Sequence, residues 1–174
     1  MSAAKTKMPM SKLKQFLDEQ GFENVVTFIQ SGNVLLQSKL TAGTIARKIE
    51  KSLPSAFMLD SSLIKVLALS VEQFQAVIDQ KPKGFGDHPA KYHSDAIFLM
   101  DIDSAKAMTA FDPREGVDRV WPGDGVMYSQ RLSALRTKTR LNKMMSSPLY
   151  KSMTIRSWGT TLKLLELVKA IDNR

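Results

Sequence analysis

The order of predicted elements points to an α+β protein of two similar units, and three features of the 174 residues carry that reading. Apolar residues recur at helical spacing in some stretches and gather into short β-branched runs in others. Residues 81–89 (K-P-K-G-F-G-D-H-P) form the densest Pro/Gly punctuation and divide the chain near its middle. After it the pattern reads strand, helix, strand, strand, helix, strand, helix. Before it the pattern is the same with the opening strand absent. Each unit is then the split βαβ arrangement called ferredoxin-like, the first missing its opening strand. The predicted division is an N-terminal unit over 1–82, a linker over 83–91 and a basic C-terminal unit over 92–174.

Taken in order, Met10, Leu13, Phe16 and Leu17 repeat at helical spacing, with Pro9 near the first turn and Gly21 as the stop. Val25, Val26, Phe28 and Ile29 read as a strand. Ser31, Gly32 and Asn33 make a turn, and Val34 to Leu36 return as its hairpin partner. Thr41 caps a helix whose Ile45, Ile49 and Leu53 share a face, and Pro54 is expected to end it. Residues 63–69 are apolar and β-branched, the signature of a strand. Ser70 and Gln73 sit at capping-box spacing before a helix that buries Phe74, Val77 and Ile78.

The second unit opens with a strand over 94–100 and a helix over 104–111. Strands over 117–121 and 126–128 flank the turn Pro122-Gly123-Asp124-Gly125. A basic helix is expected over 138–145, a short strand over 153–156 and a last helix over 158–171. In the ferredoxin-like order the first strand is central. Without it, the strands holding Val34 and Leu67 each expose an unpaired edge, which invites pairing with another chain. A homodimer through that edge is therefore one expected partner arrangement.

Composition narrows the function. Hydrophobic residues make up 43% and charged residues 24%, the ordinary globular range. No apolar run approaches the roughly 20 residues that span a bilayer, and the first ten residues hold no apolar signal core. A cytoplasmic location is the expectation. The absence of cysteine excludes disulfides, thiolate metal sites and cysteine nucleophiles.

The charge is uneven. Residues 129–174 hold ten Lys/Arg against two acids, so the rest of the chain carries fifteen of the 25 basic and fifteen of the 17 acidic residues. The whole net charge of +8 thus sits in the C-terminal quarter, where it attracts anionic partners. Arg136, Arg140 and Lys143 lie on one face if the segment is helical, beside Lys138. Thr137 or Thr139 adds a hydroxyl at the helix entrance, and Arg156 on the next strand is placed to complete a phosphate clamp. The competing reading is a solvated basic face behind Leu141, Met144 and Met145.

Other constellations carry less. Ser31, Gly32 and Asn33 are first a turn and second the wall of a pocket, with Trp158 as a further wall or a core residue. Trp158 and Tyr150 offer rings for stacking a base beside the basic helix. His88 and His93 lie in a loop with Asp87 and Asp95, without a metal-binding frame. Asp101 and Asp103, like Asp112 and Glu115, read as caps or turn residues. No phosphate-binding glycine motif, catalytic set, metal site or cofactor motif emerges.

Three stretches resemble a known family. G-F-E-N-V-V-T-F-I-Q-S-G-N-V (21–34) resembles the signature hairpin of the domain-of-unknown-function 1697 family. R-T-K-T-R-L-N-K (136–143) and T-I-R-S-W-G-T-T-L-K-L (154–164) resemble its second and third blocks. The resemblance spans essentially the whole chain and implies a bacterial protein. It also implies an opening strand ending in R-G-I-N-V-G-G, which this sequence lacks, and an Asn where Ser157 stands. It brings no established activity.

The expected function is a non-catalytic binding module for a phosphate-bearing ligand, nucleic acid foremost. The alternatives are an enzyme acting on a small anionic substrate between the units, with the same cations as clamps, and a protein-interaction module pairing through the open edge.

Overall fold

Helix α1 (Met10–Glu19) forms where apolar residues recur every three or four positions, and Leu13, Phe16 and Leu17 are buried on that face. Pro9 precedes the helix as its cap residue, with extended backbone. Gly21 turns the chain out of the helix with φ +84°, a conformation that favours glycine. The computed structural model describes residues 8–29, 32–59 and 64–172, so Ser31 and Leu63 lie outside the described residues.

Strands β1 (Glu23–Phe28) and β2 (Asn33–Gln37) pair antiparallel, with Val26 opposite Leu35 and Phe28 opposite Asn33. Helix α2 (Ala42–Ala56) starts at Thr41, whose hydroxyl accepts the Thr44 N–H. It runs two residues past Pro54, which was expected to end it. A proline this late forfeits a single intrahelical hydrogen bond, and Phe57 N–H still reaches Leu53 O at 3.0 Å. The core here is Leu13, Phe16, Leu17, Phe22, Val25, Ile49 and Leu53.

Residues 64–69 differ from the expected strand: they join no ladder. Instead Val66 N–H donates to the Glu50 carboxylate of α2 at 2.7 Å, and Ile64 and Val66 pack against the core.

The chain divides into two compact units. One comprises the residues up to Ser70 and again those from Glu166, while the other is Val71–Leu165. The division falls before α3 (Val71–Asp79) rather than at 83–91, because α3 packs on the second unit's sheet: Phe74 stacks on Phe98 at 5.9 Å. Residues 81–89 also belong to this unit. Phe85 is fully buried, with its ring 5.0 Å from Trp158, 5.2 Å from Tyr128 and 6.0 Å from Trp121.

The second unit continues with β3 (Tyr92–Leu99), α4 (Ser104–Met108), β4 (Asp118–Pro122) and β5 (Val126–Leu132). Three 3-10 helices follow (Ser133–Lys138, Leu141–Ser146, Pro148–Ser152), then β6 (Met153–Ser157) and α5 (Trp158–Asp172), of which the part up to Leu165 belongs to this unit. Helix α4 is shorter than expected and is capped by Asp103, whose carboxylate accepts Lys106 N–H at 2.7 Å. The four strands run in the order β4-β5-β3-β6, every neighbouring pair antiparallel.

Alternation gives this sheet two faces. Ile97, Leu99, Met127 and Met153 point to one and pack with Ala107 of α4 and Met144 of the second 3-10 helix. Ala96, Phe98 and Tyr128 point to the other, where the Tyr128 hydroxyl donates to Val77 O of α3 at 2.5 Å.

Candidate anion-binding segment

In the segment between β5 and β6, a basic α-helix was expected over 138–145. The segment forms three short 3-10 helices instead, with a break at Thr139 and Arg140. The break has a physical cause in Asp118, at the start of β4. Its carboxylate, only 6% exposed, accepts the Thr139 hydroxyl at 2.6 Å, Arg140 N–H at 2.8 Å and Arg114 N–H at 3.0 Å. These bonds pin Thr139 and Arg140 between the first and second 3-10 helices. Leu141 and Met144, three apart, then share the inward side of the second turn, the spacing a 3-10 helix eclipses. Ser147 ends it and caps the third, accepting Leu149 N–H at 3.2 Å before Pro148.

This arrangement redistributes the predicted site. Arg136 and Lys138 lie on the first turn, exposed, and form no ion pair among the described residues. Arg140 and Lys143 converge on one acid: Asp112 Oδ2 lies 2.7 Å from Lys143 Nζ and 3.4 Å from Arg140 Nη1. The Lys143 ammonium first, and the Arg140 guanidinium with it, hold the Asp112 carboxyl below its ordinary pKa. All three groups are solvent-facing, so the contacts are weak and open to competition from another anion. Thr139 is committed to Asp118 and faces inward.

Arg156 does not join these cations. On β6 it stands opposite Ala96, on the sheet face of Tyr128, whereas Met144 and the second turn cover the opposite face. Its guanidinium donates to Thr154 Oγ1 at 2.9 Å and to Ile155 O at 2.8 Å, and burial lowers its pKa. A clamp of Arg140, Lys143 and Arg156 around one phosphate is therefore not formed.

The expected pocket residues belong to different units, Gly32 and Asn33 to the first and Trp158 to the second. Gly32 takes φ +76° in the first hairpin, and Asn33 donates from Nδ2 to Phe28 O at 3.2 Å, closing that turn. Trp158 is buried among Phe85 and Tyr128 in the second unit. Two hollows, of about 320 Å³ and 130 Å³, are lined by Lys14, Asp18 and Ile171 among others and by Tyr92, Asp118 and Gln130 among others. Gly32, Asn33 and Trp158 line neither.

Of the two acids that meet the segment, sequence reasoning read Asp112 only as a cap or turn residue and missed Asp118. Each lies more than twenty residues from its partner, with no local spacing to reveal it. His93 lies on β3 rather than in a loop, with Nε2 3.0 Å from Asp95 Oδ1. Burial raises the Asp95 pKa while His93 and Arg131 oppose that rise. No cluster able to hold a metal occurs among the described residues. No helix among them is long and apolar enough to cross a membrane.

The fold is similar to a solved structure, that of the conserved bacterial protein SP0830 from Streptococcus pneumoniae. The two agree with a TM-score of 0.78 at 22% identity over 97% of this chain and 93% of that one. No curated protein matches the chain. A family model matches residues 2–128, which include the hairpin motif and end before the basic segment. The match covers well over half of the sequence, and the chain belongs to the family described as "Protein of unknown function (DUF1697)".

Proposed function

We propose that the protein is a non-catalytic binding module that holds a phosphate-bearing ligand, nucleic acid foremost, along the three 3-10 helices. One observation carries the reading: residues 133–152 contain five cations and no acid, and Arg136, Lys138 and Lys151 are exposed without an ion pair among the described residues. The nearest counter-charge, Asp112, reaches only Arg140 and Lys143. The Asp118 hydrogen bonds fix the segment, so less conformational freedom is lost when a ligand binds. The cations are spread along a surface rather than gathered in a cavity, which suits a polyanion better than a small substrate.

The second unit is read as ferredoxin-like. Its strand order β4-β5-β3-β6 supports this, with the 3-10 crossover standing in for the second helix. The proposed setting is the cytoplasm, and no cofactor is invoked. Homodimerisation through the two-stranded sheet is a second reading, supported by the exposed apolar Val26 and Ile29 at β1.

Fluorescence anisotropy with a labelled oligonucleotide tests the main reading. Wild-type protein should bind, and the Arg136→Glu/Lys138→Glu variant, shown folded by circular dichroism, should bind at least roughly tenfold more weakly. Equal affinity of the two proteins would remove the segment from the binding site.

A further inference from the structure

We propose that the ligand of this segment is single-stranded nucleic acid, one base of which stacks on Tyr150. The inference rests on the phosphate-binding reading and adds the chemical class of the ligand.

The aromatic rings of the second unit are largely engaged. Phe85, Trp121, Tyr128 and Trp158 form one cluster, and Phe74 stacks on Phe98. Tyr92 lies under the Lys91 ammonium at 5.2 Å. Tyr150, on the third 3-10 helix, is partly exposed. Its side chain forms no hydrogen bond and meets no ring or cation among the described residues. A partly exposed phenol ring next in sequence to exposed Lys151, on the same crossover as Lys138 and Lys143, combines the two elements of a stacking platform. These are a π-face that accepts any base and cations that track the backbone. The second and third 3-10 helices contact one another, and exposed Met145 adds apolar surface there.

The same geometry argues against a duplex. Reading a duplex takes an α-helix or a β-ribbon that enters the major groove. Here the cations ride on turns of five or six residues, and the stacked bases of an intact duplex present no free face to a partly exposed ring. A free phosphate fits less well, because neither hollow is lined by Arg136, Lys138, Lys143 or Lys151.

The test compares the full chain and two variants, Tyr150→Leu and Tyr150→Phe, by anisotropy. The probes are a labelled oligothymidylate of about a dozen nucleotides, a duplex of the same length, and heparin, a polyanion without bases. Wild type should prefer the single strand. Tyr150→Leu should lose roughly tenfold on it and nothing on heparin, whereas Tyr150→Phe retains its affinity. A duplex preference, or an equal loss on oligothymidylate and heparin, overturns the stacking proposal and leaves the phosphate reading standing. Less than a twofold change for Tyr150→Leu overturns it too. If wild type binds neither oligothymidylate nor heparin, the phosphate reading itself fails.

Discussion

Replacing Asp118 should unfasten the segment on which the binding surface is built, and the cost can be worked from its hydrogen bonds. The carboxylate accepts three: the Thr139 hydroxyl and the Arg140 and Arg114 amides, at 2.6, 2.8 and 3.0 Å. In Asp118→Ala all three donors lose their acceptor. A buried donor left unsatisfied costs about 1–3 kcal/mol, and partial access of water to the Thr139 and Arg140 side brings the expected total to roughly 3–5 kcal/mol. Asp118→Asn is a gentler change. Its amide oxygen can still accept both backbone N–H groups, while its amide N–H can donate to the Thr139 oxygen. Losing the charge alone should cost about 1–2 kcal/mol. Urea unfolding followed by Trp121 and Trp158 fluorescence reads the unit that contains all these groups. A cost below about 1 kcal/mol for Asp118→Ala would refute the argument. Equal costs for Ala and Asn would show that charge, rather than the set of bonds, fixes the segment.

Two further predictions concern the other face of the sheet. Gly86 has φ +74°, and an added Cβ would strike the Trp158 indole, so Gly86→Ala should cost roughly 2–4 kcal/mol in urea unfolding. Gly84→Ala, with φ +82° but open space, should cost only about 1 kcal/mol, and equal losses would contradict the packing argument. Burial pushes the Tyr128 pKa up from 10.0 to about 12. A phenol whose folded pKa is raised keeps its proton while the unfolded chain ionises. Its contribution is therefore complete below pH 10 and falls as pH rises to about 12. Between those limits wild type should lose on the order of 2 kcal/mol more than Tyr128→Phe, and parallel stability–pH curves would contradict this.

The parts of the fold set by local pattern were legible in the sequence. The faces of α1 and α2, both hairpins, β3, β6 and α5 all follow from spacing and turn chemistry that short stretches specify on their own. Distant partners governed the rest. Residues 64–69 have strand composition, but their backbone meets the Glu50 carboxylate instead of a strand. Residues 138–145 have helical composition, yet Asp118 pins Thr139 and Arg140 from a distant strand, and Leu141 and Met144 satisfy a 3-10 turn as well as an α-helix. The punctuation of 81–89 suggested a linker, and the ring of Phe85 makes it part of the core. Charge was the legible part of the candidate site. Which cations stay unpaired was not, because Asp112 and Arg156 are placed by the fold.

The most direct test of phosphate binding is the salt dependence of affinity for a single-stranded oligonucleotide. Each phosphate neutralised on a single strand contributes about −0.7 to the slope of log affinity against log salt. Arg136, Lys138 and Lys151 alone then predict a slope near −2, and recruitment of Arg140 and Lys143 from Asp112 would steepen it to about −3.5. Measured slopes in that range, reduced by about 1.4 in Arg136→Gln/Lys138→Gln, are the predicted result. A slope near zero, or one unchanged in that variant, would contradict the account.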